Sequence, residues 1–356
     1  KMPLLRELGV KVGRFEPGER NSITDVAGVL VGQSTIVDDS CMARTGVTVV
    51  LPRKTVWKEG CHAGCFSFNG AGEMTGLHWV REAGVVNTPI AITSTHEVGS
   101  VRDYVLRHGS ETGQVASWRL PVVGETFDGS LNDTSKPHVT YDHVKRAIET
   151  ADETVEQGSR GGGTGMVCHG FKGGTGTSSR LVALKAGTYT VAALVQANYG
   201  VRRDLRIGGV LVGDQFDHVP MPAKHCDGSI IVVVATDAPL LPTQCERLAK
   251  RATVGLARTG GCGHDSSGDI FLAFSTAEKV NVDDEGVASC RFLGSSHISP
   301  LFDAVADCVE ESIANAILSS TTMVGKGGYT VHGIPADDLV SVLHKNAQVK
   351  WVSEIS

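Results

Sequence analysis

An α+β protein, with sheets inside and helices stacked outside them, is the architecture this sequence predicts. Three observations carry that reading. Apolar β-branched runs, above all Ile230–Ala235, look like strands buried on both faces. Groups of such strands are followed by pairs of long amphipathic helices rather than alternating with them singly. Gly, at 43 of 356 residues, recurs between the apolar runs without collagen-like periodicity, so the chain turns tightly and often. The length permits one large domain or two tightly joined ones. No internal repeat and no low-complexity linker divides it.

In chain order, residues 21–32 read as a loop feeding a strand, and Gly46–Leu51 is a strand closed by Pro52. Ser67–Gly72 reads as a Gly-rich bend, followed by a helix over 73–83 with Met74, Leu77 and Val80 on one stripe. Ile90–Thr93 is a short strand, and Ser100 can cap a helix running to Arg107. Residues 121–133 look like a polar loop carrying Glu125, Asp128, Asn132 and Asp133. The period of Val144, Ile148, Ala151 and Val155 predicts a helix over 141–157, stopped by Gly158. Strands at 180–185 and 188–195 are joined at Gly187 as a hairpin. Residues 207–212 then precede an irregular segment, 214–226, that leads to the Ser229 strand. Pro242 opens a helix to Arg258, Ile270–Phe274 is a buried strand, and Leu301–Leu318 is the strongest helix.

Composition excludes several functions. A net charge of −6, scattered Lys and Arg, and 5% aromatics leave no basic stripe for nucleic acid or an anionic membrane. Nine cysteines are odd in number and unclustered, and several sit in apolar patterns where a thiol acts as a small hydrophobe. That fits a reducing, cytoplasmic compartment. Residues 1–9 lack a signal-peptide pattern, and no stretch reaches the ~18 apolar residues of a membrane helix.

The common catalytic motifs are missing. Neither Gly161–Gly165 nor Gly173–Ser179 forms a dinucleotide or P-loop fingerprint. Cys61-His62-Ala63-Gly64-Cys65 lacks a second ligand pair at usable spacing, and there is no Gly-x-Ser-x-Gly elbow. No metal and no cofactor is expected. What stands out is Asp227-Gly228-Ser229 placed just before the most buried strand. That puts a hydroxyl at the rim of a rigid element, where a small molecule can reach it. Other polar positions lack an obvious structural job: Asn198 at a strand end, and Ser267 and Asp269 just before the 270–274 strand. Being two apart, Ser267 and Asp269 share a face if the backbone there is extended.

Several stretches taken together resemble the DmpA-type aminopeptidases, the L-aminopeptidase/D-esterase-amidase family that includes the β-aminopeptidases. They are Asn-Ser-Ile-Thr-Asp-Val-Ala-Gly from 21, Phe-Asn-Gly-Ala-Gly-Glu-Met-Thr-Gly ending at 76, Glu-Thr-Phe-Asp-Gly from 125, Gly165–Gly174, and Asp227–Leu240. The likeness runs in order from about residue 5 to 340. It implies a four-layer αββα sandwich resembling the N-terminal-nucleophile hydrolases. It also implies a precursor that cuts itself between Gly228 and Ser229, giving segments 1–228 and 229–356, and assembly as a homotetramer.

Under the resemblance, Ser229 is the nucleophile and its freed α-amine, of pKa roughly 7.7–8, is the general base. Ser267 orients that pair, Asp269 favours the ammonium formed in turnover, and Asn198 is the oxyanion donor. Glu125 receives the substrate's amino group, the substrate being a short peptide, amino-acid amide or ester. This chain departs from the family pattern at one point. Phe127 stands where relatives carry Tyr or Trp, so it supplies no hydroxyl and becomes a pocket wall. Two other readings stay open from sequence: an acyltransferase of the ornithine acetyltransferase type, expected to use Thr at 229, and a non-catalytic binding or assembly subunit.

Overall fold

The computed structural model describes residues 2–115, 117–223, 228–281, 283, 285–346 and 349–352. Cys226 and Asp227 of the predicted turn lie outside the described residues. Ten strands build the two main sheets: β1 (Leu30–Asp38), β2 (Ala43–Leu51), β3 (Glu59–Gly70), β4 (Val85–Val86), β5 (Ile90–Ser94), β6 (Val122–Thr126), β7 (Gly174–Leu184), β8 (Gly187–Asn198), β9 (Ser229–Thr236) and β10 (Gly268–Asn281). The helices that matter below are α1 (Leu77–Ala83), α2 (Val98–Glu111), α3 (Tyr141–Glu149), α4 (Pro242–Arg258) and α5 (Ser299–Leu318).

One sheet has the order β1-β2-β5-β6 and the other β4-β3-β10-β9-β8-β7. Period-two burial shows how they stack. Ile231, Val233 and Ala235 of β9 meet Val50, Ile92 and Val122 in a layer between the sheets. Ile230, Val232 and Val234 point the other way, into Leu248 and Leu256 of α4 and Val305 and Val309 of α5. The outer face of the four-stranded sheet is covered by Val101 and Val105 of α2 and Val144 and Ala147 of α3. The order of layers is therefore helices, sheet, sheet, helices. All eight residues of β9 are buried, as its unbroken apolar run predicts. A charge at Val233 would be stranded in the inter-sheet layer, where buried charges need a partner.

Two glycines let the outer helices seat directly on the larger sheet. A Cβ on Gly176 would stand 1.8 Å from the Ser312 carbonyl oxygen of α5, and one on Gly64 would stand 2.3 Å from the Glu246 amide of α4. Helix α5 also carries Glu311, which pairs with Arg180 of β7 at 2.5 Å, both side chains fully buried. The apolar stripe of α5 is thus covered within the chain, and gives no support to the homotetramer.

The structure corrects several element boundaries. Residues 122–126, predicted as loop, form β6, buried at all five positions and parallel to β5. Residues 67–70, predicted as a bend, continue β3. The 73–83 helix begins only at Leu77, because Met74 bridges to Gly124. Helix α2 starts at Val98, so Ser100 lies inside its first turn instead of capping it. Helix α3 ends at Glu149, eight residues short of the predicted 157. There Asp152 leaves helical geometry to exchange two backbone hydrogen bonds with Val31 of β1, at 2.9 and 3.1 Å. Tertiary pairing overrides the periodic pattern through Val155. Among the described residues, no helix is long and apolar enough to cross a membrane.

Candidate active site

Ser229 is the first residue of β9, and Asn198 is the last of β8, directly opposite it in the antiparallel register. Both lie on the parity that faces the other sheet, so their side chains stand at the rim of the inter-sheet layer. The four-stranded sheet brings Glu125 to the same rim, since β6 runs parallel to β5 with Glu125 opposite Thr93. Between them opens a cavity of about 690 Å³ lined by Ser229, Asn198, Glu125, Phe127, Thr95 and the turn from Gly70 to Glu73, among others. Among the described residues its lining carries two carboxylates, Glu73 and Glu125, and no Lys or Arg. Such a site favours a cationic group.

Each polar side chain is held. The Gly268 amide donates to Ser229 Oγ at 3.0 Å. The Val167 amide donates to Asn198 Oδ1 at 2.8 Å, and Asn198 Nδ2 donates to the Phe127 carbonyl at 3.0 Å. That arrangement fixes which end of the amide is nitrogen and leaves one Nδ2 proton uncommitted. Glu125 accepts from the Glu73 amide at 2.7 Å and from the Thr95 hydroxyl. Burial pushes its carboxyl above the ordinary glutamate range, and these two donors pull it part of the way back.

Ser267 and Asp269 lie on the opposite side of the Ser229 backbone, facing α4 and α5. Their hydrogen bond, 2.7 Å from Ser267 Oγ to Asp269 Oδ1, agrees with the predicted shared face. The Ser267 hydroxyl also reaches the carbonyl oxygen of Gly228. One hydroxyl has one proton, so it cannot donate to both acceptors at once. A protonated Asp269 resolves the conflict by donating to Ser267, which then donates to Gly228. Burial pushes the Asp269 carboxyl up to about 6, with the Ser267 bond opposing that shift, so both states are accessible near neutrality. Gly228 itself is sterically required. A Cβ there would fall 1.6 Å from the Asn198 carbonyl oxygen.

All the residues singled out from sequence therefore converge on one place. Ser229, Asn198, Glu125 and Phe127 lie in front, Ser267 and Asp269 lie behind, and Gly228 lines the cavity while its carbonyl oxygen meets Ser267. Phe127 is 39% exposed and lines the cavity, its ring centroid 5.6 Å from that of His96. Three contributors were not singled out: Gly268, through its amide, and Thr95 and Glu73, through Glu125. Glu73 sits inside a stretch that carries the family resemblance, which is the one signal that could have marked it. Cys61 and Cys65 are buried in β3, and among the described residues no three His, Cys, Asp or Glu side chains converge as metal ligands.

Comparison with known proteins bears directly on this geometry. The family model for peptidase family S58 matches residues 21–331. The chain is 43% identical to the β-peptidyl aminopeptidase BapA of Sphingosinicella microcystinivorans, covering 96% of this chain and 92% of that protein. It is 40% identical to the BapA of Sphingosinicella xenopeptidilytica, covering 96% and 91%. Among solved structures, a Burkholderia sp. β-aminopeptidase superposes with a TM-score of 0.92 at 47% identity, over 97% of this chain and 99% of that one. The L-aminopeptidase D-Ala-esterase/amidase of Ochrobactrum anthropi, described as a prototype for the serine aminopeptidases and a variant of the Ntn-hydrolase fold, gives 0.92 at 38% identity, over 98% and 100%. These relatives favour neither acyl transfer nor a non-catalytic role. The chain belongs to peptidase family S58, the DmpA-type aminopeptidases, and is a hydrolase of the serine-aminopeptidase kind.

Proposed function

We propose that the chain matures by cutting itself between Gly228 and Ser229 and then removes amino-terminal residues from short peptides, amides or esters. The observation that carries this reading is the Ser267 hydroxyl seated on the carbonyl oxygen of Gly228, the residue whose bond to Ser229 would break. Ser229 Oγ attacks the Gly228 carbonyl carbon, and Ser267, backed by Asp269, polarises the oxygen. The C–N bond then breaks with transfer of a proton to nitrogen, leaving an ester on Oγ. Water hydrolyses that ester, giving a Gly228 carboxylate and a free Ser229 α-amine. The products are segments 1–228 and 229–356.

In turnover, the new amine takes the Oγ proton as the hydroxyl attacks the substrate carbonyl, and Oγ is acylated. The ammonium returns the proton to the leaving amine. A second cycle with water releases the amino acid. Asp269, when ionised, stabilises the ammonium, and Asn198 Nδ2 faces the developing oxyanion. Glu125, held by Thr95 and the Glu73 amide, binds the substrate's own ammonium. Phe127 forms a wall of the pocket and offers its carbonyl to Asn198. Peptides with an amino-terminal β-amino acid are the first substrates to test, given the likeness to β-peptidyl aminopeptidases. A homotetramer and a cytoplasmic location rest on the resemblance and the cysteine usage alone, and sedimentation tests the first.

Mass spectrometry and Edman sequencing of active protein test the central step. Two fragments are expected, the smaller starting Ser-Ile-Ile-Val. Ser229→Ala should leave one chain and no hydrolysis of β-alanyl or L-alanyl p-nitroanilide. Activity from an uncut chain would sink the proposal.

A further inference from the structure

A second cavity, of about 410 Å³, shares no lining residue with the one at Ser229. Four cationic side chains converge on it from separated segments: Lys11, Arg206, Arg258 at the end of α4, and Lys350. Glu310 is the single acid in the lining among the described residues. In a chain of net charge −6, this is a local reversal of sign.

Some of the positive charge is already answered. Lys11 pairs with Glu16 at 2.5 Å, and Arg258 pairs with Asp307 at 2.7 Å and Glu310 at 3.5 Å. Arg206 and Lys350 make no ion pair among the described residues. Between them the Gly208–Gly209 turn contributes floor without side chains. Both residues have positive φ, 59° and 83°, and a Cβ on Gly209 would meet nothing within 4 Å. Val12 is the one large apolar residue in the lining among the described residues, so the cavity offers an apolar ligand little to bury.

We propose that this cavity binds a small, multiply charged oxyanion of the phosphate class. Arg206 supplies a planar donor fork, Lys350 and Lys11 act as point charges, and the open glycine turn lets the anion approach the backbone. A divalent anion answers both unpaired cations at once, which a chloride ion cannot.

Isothermal titration of the full protein with inorganic phosphate, at pH 7 and constant ionic strength set by sodium chloride, tests the proposal. One saturable site per chain is expected. Arg206→Ala/Lys350→Ala should weaken it at least tenfold, with aminopeptidase activity and phosphate-free melting temperature unchanged, since both side chains are exposed and neither lines the Ser229 cavity. Arg206→Lys alone should give an intermediate loss and serves if the double variant is unstable. A phosphate monoester binding more tightly than inorganic phosphate would assign the oxyanion to a larger metabolite, and equal binding would assign it to free phosphate. No saturable binding, or binding that the variants leave unaltered, overturns the site.

Discussion

The two sides of the backbone at Ser229 differ in what they present. The front, toward the four-stranded sheet, is an open cavity of about 690 Å³ holding Glu125, Asn198 and the Ser229 hydroxyl. The back, toward α4 and α5, is closed and holds the Ser267–Asp269 pair, with Asp269 only 1% exposed. Strand geometry alone creates this division, because successive residues point to opposite faces. It separates two jobs that would otherwise interfere. Both carboxyls are buried, Glu125 at 2% exposure and Asp269 at 1%, but Glu125 lines the cavity where a substrate's charge must be met, whereas Asp269 stands behind it, where its charge can be adjusted for proton handling. If the division is real, variants in front should change substrate binding and leave maturation intact. Variants behind should damage both.

Gly228→Ala should have the largest effect, since it attacks the boundary between the two sides. The added methyl would overlap the Asn198 carbonyl oxygen, forcing the β8–β9 end apart and moving the scissile carbonyl off Ser267. No cleavage and no activity are expected on a denaturing gel and in a p-nitroanilide assay. A fully matured variant would show that the register at Asn198 and Ser229 is not needed for cutting.

Asp269→Asn comes next. Maturation and kcat should both fall, by about 10²–10³, and the acid limb of kcat/KM should lose the contribution of Asp269 near pH 6, keeping that of Glu125. The same change should stabilise the protein. Burial raises the folded-state pKa of Asp269 to about 6, above the ordinary aspartate value of 3.8, so the native state holds the proton more tightly than the unfolded chain. Stability from this group is therefore present below pH 4 and falls as pH rises toward 6. Asn escapes that loss, so the variant should gain up to about 3 kcal/mol at neutral pH, read from denaturant unfolding. Equal stability at pH 4 and pH 7 relative to wild type would mean the carboxyl ionises there without strain.

Glu125→Gln tests the front. It removes a charge without changing shape, so cleavage should proceed normally. KM for a free-amine substrate should rise about 10–100-fold, the worth of a hydrogen bond between charged partners. An N-acetylated ester should show no such difference. Impaired maturation in this variant would break the front–back division.

How much of this was legible in the sequence follows from which interactions are local. The β9 strand and helix α4 were readable to within a residue or two, because an eight-residue buried run and a Pro-started amphipathic stripe announce themselves within a short window. Ser267 and Asp269 could be placed on one face from their spacing of two. Strand β6 was missed because Gly124 and Glu125 interrupt its apolar pattern, and its five buried positions owe their burial to α2 and the second sheet. Helix α3 was drawn too long because the pattern through Val155 continues after the backbone has turned to join β1. Thr95 and Gly268 had no signal at all. Their proximity to Glu125 and Ser229 exists only once β5 has paired with β6 and β10 with β9.

Thr95 gives the smallest and most discriminating test. Its hydroxyl donates to Glu125, and that bond is the largest influence opposing the rise in the Glu125 pKa caused by burial. Thr95→Val keeps the shape and deletes the donor. Glu125 should then hold its proton to higher pH, so the acid limb of kcat/KM should move upward while the loss at high pH stays within about 2–10-fold, the worth of one hydrogen bond. The loss should appear in KM rather than kcat, because the hydroxyl touches the group that grips the substrate amine and not the reacting atoms. Thr95→Ser, which restores the donor, should return both the limb and KM. Maturation should be unaffected in either variant. A Thr95→Val protein that matures slowly would mean the front of the site also governs cutting, and the separation read from the strand would have to be abandoned.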